Sequence, residues 1–214
     1  MVLASASPRR RELLVALQLP FEIVLPPSYE ATDVADTPQA VAERLALDKA
    51  QVVAMRLAGD AFVIGADTIV VDGDTILGKP ADAAAAEAML RRLAGGSHRV
   101  ITGLAVVNRT RPIVVCGHEA SAVRMRRYSA ADSACYIARG EPFDKAGGYA
   151  IQDAAFHPVA GHEGCYYNIV GLPLCALADL LRRAGVAVPP PIALERCLDC
   201  ERCPSVERVE VAQP

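Results

Sequence analysis

The sequence predicts an α/β fold in which a mixed β-sheet is flanked by helices. Short apolar runs that are typical of strands alternate with segments that have helical periodicity and helix-capping residues. Two pairs of the strand-like segments are joined by short turns, which indicates antiparallel hairpins within the same sheet. The composition agrees, because 52% of the 214 residues are hydrophobic and 22% are charged, as in ordinary globular chains.

In the N-terminal half, each predicted helix begins at a residue that favours the N-cap position. Ser7 precedes Pro8, and Thr37 precedes Pro38, so each cap is followed by proline at the first helical position. Residues 72–74 read Asp-Gly-Asp, which predicts the turn of a hairpin. We expect strands at residues 2–6, 21–25, 61–64 and 68–71, and helices at residues 8–18 and 37–58.

The C-terminal half is predicted to contain a long hairpin and three helices, followed by a tail. Two glycines at residues 95–96 end one helix, Ser129 caps the next, and Pro173 introduces the last. We expect strands at residues 98–107, 113–126 and 147–152, and helices at residues 82–94, 129–139 and 171–185. Beyond them lie successive prolines and a charged, cysteine-bearing stretch. We therefore expect one folded domain over residues 1–185 and an appended tail over residues 186–214.

Composition and charge exclude several classes of protein. The formal net charge of −3 argues against general binding to nucleic acid, which needs a broad basic surface. No apolar run reaches the roughly 20 residues of a membrane-spanning helix, and the first residues lack the pattern of a signal peptide. We therefore expect a cytoplasmic protein with reduced cysteines. We expect buried thiols at Cys116, Cys135, Cys165 and Cys175, and surface or loop positions for His98, His118, His157 and His162.

The first turn of the first predicted helix carries charge of the wrong sign. Arg9, Arg10 and Arg11 follow the N-cap Ser7, although a helix N-terminus has partial positive charge and disfavours cations. Such a departure from a local rule tends to mark a functional site. Exposed amides, hydroxyl groups and guanidinium groups together can form a phosphate-binding site. The alternative is a solvated basic turn without a ligand.

Further charged residues lie in settings that suit phosphate chemistry. Asp67 lies in a Gly-Ala-Asp-Thr segment, where we expect the chain to break between two strands and to expose the carboxylate. Lys79 and Lys145 lie in glycine-containing turns, and Lys49 lies late in the long helix. Taken singly, each is also explained as an ordinary turn or surface residue. Together with the arginines, they indicate a carboxylate for a metal ion or a general base, and cations for phosphate.

Several segments occur in the order and form of a known family. They are residues 3–10 (Leu-Ala-Ser-Ala-Ser-Pro-Arg-Arg), 64–68 (Ile-Gly-Ala-Asp-Thr), 78–80 (Gly-Lys-Pro), 144–152 (Asp-Lys-Ala-Gly-Gly-Tyr-Ala-Ile-Gln) and 170–174 (Val-Gly-Leu-Pro-Leu). In these segments the chain resembles the Maf family of nucleoside triphosphate pyrophosphatases. The resemblance implies a two-lobed α/β fold, similar to that of the ITPases, with the active site in a cleft and often a homodimer. It also implies hydrolysis of a nucleoside triphosphate to the monophosphate and pyrophosphate with a divalent metal ion, Mg²⁺ or Mn²⁺.

The resemblance also implies roles for individual residues. Asp67 would accept the proton of the attacking water, and Glu30 would hold the metal ion together with Asp67. The base specificity would depend on Arg10, Thr68 and Gln152, and the phosphates would be held by Ser5, Arg9, Lys49 and Lys79.

The segment around Lys145 and Gln152 resembles the branch of the family that acts on dTTP and UTP, and we expect both side chains to bind substrate. The branch that acts on 7-methyl-GTP usually has cysteine and glutamate in these places, and it is one alternative. Another is a non-catalytic, nucleotide-binding regulator of cell division.

The tail matches no segment of the family. It contains a Cys-x-x-Cys-x-x-Cys run formed by Cys197, Cys200 and Cys203, which resembles part of a metal-binding sequence. A zinc or iron–sulfur site needs a fourth ligand that the run lacks. The alternatives are therefore a metal site completed from elsewhere and a tail with reduced thiols.

Overall fold

The computed structural model describes residues 1–27 and 37–189. Within them the chain forms seven strands, six α-helices and three short 3-10 helices. The strands are β1 (Val2–Ala4), β2 (Glu22–Ile23), β3 (Val63–Asp72), β4 (Thr75–Leu77), β5 (Ser97–Asn108), β6 (Ile113–Met125) and β7 (Val159–Glu163). The α-helices are α1 (Pro8–Leu14), α2 (Pro38–Ala54), α3 (Ala83–Leu93), α4 (Ala130–Ala138), α5 (Tyr166–Val170) and α6 (Leu174–Arg183). The 3-10 helices are Val15–Leu17, Glu141–Asp144 and Ala146–Gly148.

The strands form one mixed sheet in the order β2-β1-β3-β5-β6-β7, and β4 pairs separately with β3. β1 lies parallel to both of its neighbours, whereas the other pairs are antiparallel. α2 covers the face that carries Val63 and Ala105, while α1 and α6 cover the face that carries Ile64 and Leu104. The predicted α/β class is confirmed, as are the hairpin formed by β3 and β4 and the long hairpin formed by β5 and β6.

β3 runs without interruption through Asp67, so the predicted break at this position is wrong. The glycine that suggested a break serves close packing instead. A Cβ atom at Gly65 would lie 2.0 Å from the carbonyl oxygen of Ala46 in α2, and one at Gly103 in β5 would lie 2.0 Å from that of Ala42. These two glycines let α2 pack directly against the sheet. Asp67 therefore projects from the middle of a strand.

One edge of β3 is only partly covered by other strands. β1 pairs with β3 as far as Gly65, and β4 pairs with it from Val70 onward. Between them, residues 66–69 have no strand partner on this edge among the described residues, whereas β5 covers the opposite edge. Because Ala4 pairs with Gly65, the turn that follows β1 lies beside this gap. The gap in the sheet edge is where the candidate site forms.

Two of the clusters of buried apolar residues lie on opposite sides of the gap. The first includes Leu3, Ile64 and Leu177, and it packs α1 and α6 against the sheet. The second includes Val70 and Tyr136, and it packs α3 and α4 against the far ends of β3 and β5. Since β3 passes from one cluster to the other, the gap lies between them. This division agrees with the two lobes that the resemblance implies.

The structure corrects three further predictions. No strand forms at residues 147–152, because Gly147 and Gly148 have φ values of +72° and +70°, a left-handed conformation that strands do not contain. His98 is buried and not at the surface, and Cys135 is exposed because it lies on the outer side of α4.

In the described part of the chain, no helix is long and apolar enough to cross a membrane.

Candidate active site

The N-terminus of α1 borders the gap in β3. Ser7 caps the helix, because its Oγ accepts a hydrogen bond from the backbone N–H of Arg10 (3.5 Å), and Pro8 occupies the first turn as predicted. Arg9 and Arg10 line a cavity beside the gap, whereas Arg11 is exposed and is not part of its lining. Two of the three cations in this unusual first turn therefore belong to the candidate site.

The cavity has a volume of about 510 Å³, within the range of small-molecule sites. Most of the predicted site residues line it, namely Arg9, Arg10, Lys49, Asp67, Thr68, Lys79, Lys145 and Gln152. Ser5 is absent from the lining but is buried beside it, where its Oγ accepts a hydrogen bond from Nη1 of Arg10 (3.4 Å). Glu30 lies outside the described residues. The fold therefore brings distant segments of the sequence to one place.

Asp67 and Lys49 form an ion pair in the wall of the cavity. Asp67 belongs to β3 and Lys49 to α2, and the close approach of α2 to the sheet at Gly65 brings the two side chains together. Both are partly shielded from water, since 18% of the Asp67 side chain and 26% of the Lys49 side chain are exposed. A carboxylate in this setting can accept a proton from water, while the neighbouring ammonium group can contact phosphate oxygens.

Arg10 donates hydrogen bonds to the protein through all of its guanidinium nitrogens. Nε donates to the carbonyl oxygen of Gly171 (2.8 Å), Nη2 to Oγ1 of Thr68 (3.0 Å) and Nη1 to Ser5. Burial lowers the pKa of Arg10 from its ordinary value, and the charge of Asp67 acts in the opposite direction. Arginine nevertheless stays charged in proteins. Arg10 is therefore a cation held in a fixed orientation at the edge of the cavity.

Asp144 joins two cations that line the cavity. Its Oδ2 accepts a hydrogen bond from Arg9 Nη1 (3.1 Å), and its Oδ1 accepts one from Lys145 Nζ (2.6 Å). Burial would raise the pKa of Asp144, but the hydrogen bond from Lys145 and the charge of Arg9 outweigh this effect and lower it. Lys145 also donates to the backbone oxygen (2.5 Å) and Oε2 (3.1 Å) of Glu141. Its three donors are thus used within the protein, and its contact with substrate stays a prediction.

Lys79 and Gln152 lie on the exposed part of the cavity lining. Neither side chain forms a hydrogen bond or an ion pair with another described residue. Lys79 follows β4 in a loop held by Gly78 and Pro80, as the sequence predicted. Both side chains are accordingly available to a ligand, in contrast to Lys145, whose three donors are used within the protein.

The cavity also contains residues that the sequence did not predict. Arg44 of α2 adds a further cation to the lining, and Tyr149 contributes an aromatic ring. The Tyr149 hydroxyl lies 2.7 Å from Nε2 of His98, and the two rings are in T-shaped contact. Burial raises the pKa of Tyr149 and lowers the pKa of His98 to about 4. Arg44 lies on the same helix as Lys49, and Tyr149 lies within the quoted segment 144–152, although neither was assigned a role. Nothing local indicated His98.

The donor groups of the cavity can be tested against the expected metal ion. Among residues 1–27 and 37–189, no group of three His, Cys, Asp or Glu side chains could hold a metal ion by itself. Mg²⁺, however, is usually bound by one or two carboxylates together with water and substrate phosphates. The Asp67 carboxylate fits an ion of this kind that binds together with a phosphate ligand.

A family model described as Maf-like protein matches residues 1–184. This chain belongs to the Maf family. A Thermomicrobium roseum protein named dTTP/UTP pyrophosphatase is 48% identical over 208 residues, which cover 95% of this chain and 93% of that protein. Proteins of the same name from Moorella thermoacetica (48% identical) and Symbiobacterium thermophilum (46% identical) each match 88% of this chain and 96% and 95% of their own lengths. The family resemblance found in the sequence is therefore confirmed.

Two details of the comparisons concern the tail and the fold. The match to the Thermomicrobium roseum protein covers more of this chain than the Maf family model does, so it extends beyond residue 184 into the tail, for which we expected no counterpart. Among solved structures, a dITP/XTP pyrophosphatase from Mycobacterium abscessus is 17% identical, covers 59% of this chain and 74% of its own, and has a TM-score of 0.38. A likeness at this level supports no inference about the chain.

Proposed function

We propose that this Maf family member is an enzyme that hydrolyses dTTP and UTP to the nucleoside monophosphate and pyrophosphate. The observation that carries the proposal is the Asp67–Lys49 ion pair in a cavity that is also lined by Arg9 and Lys79. This pairing of a carboxylate with several cations is the arrangement expected for hydrolysis of a phosphoanhydride. Relatives named dTTP/UTP pyrophosphatase, matched over 93% or more of their lengths, support the choice of substrate.

The proposed reaction breaks the bond that joins the α- and β-phosphates. Asp67 accepts a proton from a water molecule, and the resulting hydroxide attacks phosphorus in line with the departing pyrophosphate. Lys49, Arg9 and Lys79 neutralise the negative charge that develops on the phosphate oxygens and on the leaving group. Lys49 thus has two tasks, since it positions the carboxylate and also contacts the phosphates.

A divalent cation, Mg²⁺ or Mn²⁺, is part of the proposal. Asp67 would hold it together with Glu30 and with phosphate oxygens of the substrate. When bound, such an ion neutralises charge on the triphosphate and orients it. A carboxylate as the only described ligand favours these hard cations over zinc.

We assign the nucleobase to the part of the cavity that contains Arg10, Thr68 and Gln152. Gln152 is exposed there and offers both a donor and an acceptor, as a pyrimidine edge requires. In the 7-methyl-GTP alternative, Lys145 and Gln152 would be replaced by cysteine and glutamate, so this chain does not have the features of that branch.

The oligomeric state, the cellular location and the lack of nucleic-acid binding are also part of the proposal. The formal net charge of −3 supports a protein that does not bind nucleic acid. The family resemblance supports a homodimer, and we place the protein in the cytoplasm. Sedimentation of the purified protein would test the dimer directly.

Product analysis of the purified protein and of Asp67→Asn tests the proposed function. Each would be incubated with dTTP, UTP, 7-methyl-GTP and ATP in the presence of Mg²⁺ or Mn²⁺. We expect monophosphate and pyrophosphate from dTTP and UTP, and a loss of turnover of about a hundredfold or more in Asp67→Asn with nucleotide binding retained. Release of orthophosphate would show that another bond is cleaved. Nucleotide binding without turnover by the unmodified protein would favour the non-catalytic regulator.

A further inference from the structure

A buried chain of polar groups lies behind Thr68. Thr68 of β3 is paired across the sheet with Thr102 of β5, and their hydroxyl oxygens are 2.9 Å apart. Thr102 is fully buried, and its Oγ1 lies 3.0 Å from the backbone oxygen of Asn168 in α5. Thr102 and Asn168 lie outside the lining of the cavity, and the proposed reaction does not use them.

The direction of the hydrogen bonds in this chain follows from the number of protons available. A threonine hydroxyl has one proton to donate. The backbone oxygen of Asn168 can only accept, so the proton of Thr102 is donated to it. Thr68 must then donate its own proton to Thr102, since the two hydroxyl groups are within hydrogen-bond distance. Arg10 Nη2 donates to Thr68 and occupies one of its two lone pairs.

Thr68 consequently has one free lone pair and no free proton. Because Thr68 lines the cavity, it can offer a ligand only an acceptor. Uracil and thymine carry a proton on the ring nitrogen N3, whereas N3 of cytosine has none and is itself an acceptor. An acceptor in the cavity wall therefore pairs with the first two bases and faces a second acceptor in the third.

The groups that impose this direction are held rigidly. The side-chain amide of Asn168 donates to the backbone oxygen of Val100 (2.9 Å) and to Oγ of Ser121 (2.9 Å), and its oxygen accepts from the backbone N–H of Thr102 (3.1 Å). Asn168 is fully buried, so these bonds are protected from water. Turning the Thr68 hydroxyl towards a ligand would leave a buried hydrogen bond unmade, which is costly.

We propose that Thr102 is a specificity-determining positioning residue, which keeps the Thr68 hydroxyl as an acceptor and so selects pyrimidine nucleotides that carry a proton on N3. The inference rests on the proposed function, because it requires the base to lie against Thr68. It adds to that function a physical reason for preferring UTP and dTTP to CTP. It also assigns the selection to a residue that does not touch the substrate.

The test compares UTP, CTP and N3-methyl-UTP as substrates of the unmodified protein and of two variants. Thr102→Val has the same shape without the hydroxyl, and Thr102→Ser keeps the hydroxyl. For the unmodified protein we expect kcat/KM to be about tenfold or more higher with UTP than with CTP or N3-methyl-UTP. In Thr102→Val the Thr68 proton is released, so the ratio of UTP to CTP should fall by several-fold. Thr102→Ser should retain the ratio.

The outcomes separate this inference from the proposed function. Equal use of UTP, CTP and N3-methyl-UTP by the unmodified protein would overturn the inference and leave the pyrophosphatase activity intact, and this result does not depend on whether a variant folds. An unchanged ratio of UTP to CTP in Thr102→Val would also overturn it. Absence of turnover with every nucleotide would remove the proposed function, and the inference with it.

Discussion

Protonation of His98 should destabilise the fold, because this histidine is buried in its neutral form. It is 4% exposed, its Nε2 lies 2.7 Å from the Tyr149 hydroxyl, and its Nδ1 has no hydrogen-bond partner among the described residues. Burial lowers the pKa of His98 from 6.5 to about 4, although the charge of Asp72 acts in the opposite direction. In the unfolded chain the same imidazole is exposed and titrates near its ordinary pKa.

The sign and size of the effect follow from this difference. Between pH 6.5 and about 4, the unfolded chain binds a proton that the folded protein does not, so the free energy of unfolding falls as the pH falls. The stabilisation is complete above pH 6.5 and is lost once the pH is below about 4. The full loss is about 3 kcal/mol, and roughly 2 kcal/mol of it is reached by about pH 5.

Urea denaturation at about pH 7.5 and about pH 5 measures this loss. His98→Gln removes the titrating group and keeps a polar side chain that can reach Tyr149, so its stability should depend less on pH by roughly 2 kcal/mol. His157→Asn is the matched control, because His157 is exposed and asparagine tolerates its positive φ of 44°. If His98→Gln and the unmodified protein lose the same stability on acidification, the reasoning about His98 is refuted.

Three further predictions concern packing and the cavity. Gly65→Ala should lower the free energy of unfolding by about 1–3 kcal/mol or more, since its Cβ would lie 2.0 Å from the Ala46 oxygen; an unchanged urea midpoint would contradict this. Lys79→Met should raise KM by about tenfold or more without changing the thermal midpoint. Lys145→Met should lower the thermal midpoint as well, because the Lys145 side chain is 10% exposed and bonded to Asp144 and Glu141. Equal midpoints in the two variants would argue against that distinction. A chain that ends at residue 189 should keep its kcat/KM, because it retains every described residue of the cavity lining, and a tenfold fall would assign the tail a part in catalysis.

The local features of the fold were predictable because they depend on neighbouring residues. Ser7 and Thr37 cap their helices through their own side chains, and Ser129 forms a capping box with Asp132. The turn at residues 72–74 joins β3 and β4 as its composition indicates. In each case a few adjacent residues determine the conformation, so sequence patterns were sufficient.

The residues of the candidate site were predictable from the sequence, but the contacts between their side chains were not. A short motif indicated Asp67, and the family resemblance indicated Lys49. Nothing in the sequence shows that they form an ion pair, since that contact depends on how closely α2 packs on the sheet. The contact of His98 with Tyr149 and that of Thr102 with Asn168 join residues 51 and 66 positions apart. Each of these residues is ordinary in its local context, and only the fold reveals what it does.

At residues 147–152 the local pattern predicted a strand that the structure does not contain. Tyr149 and Ile151 favour a strand by composition, but the two preceding glycines adopt a left-handed conformation that the pattern could not reveal. The same conformation lets Gly147 approach Val70, where a Cβ atom would lie 3.0 Å from a methyl group. Tertiary packing decided the conformation here, and local preference did not.

Gly65 and Gly103, which lie beneath α2, limit how this site can change in evolution. The spacing between the proton acceptor and its ammonium partner is encoded at Gly65 and Gly103, which have no side chains and take no part in the chemistry. A methyl group at either position would push the helix, and Lys49 with it, away from Asp67. Substitutions around the Asp67–Lys49 pair therefore leave the contact intact only while residues 65 and 103 remain glycine. A comparison of relatives that considers only charged residues would miss the two positions on which this contact depends.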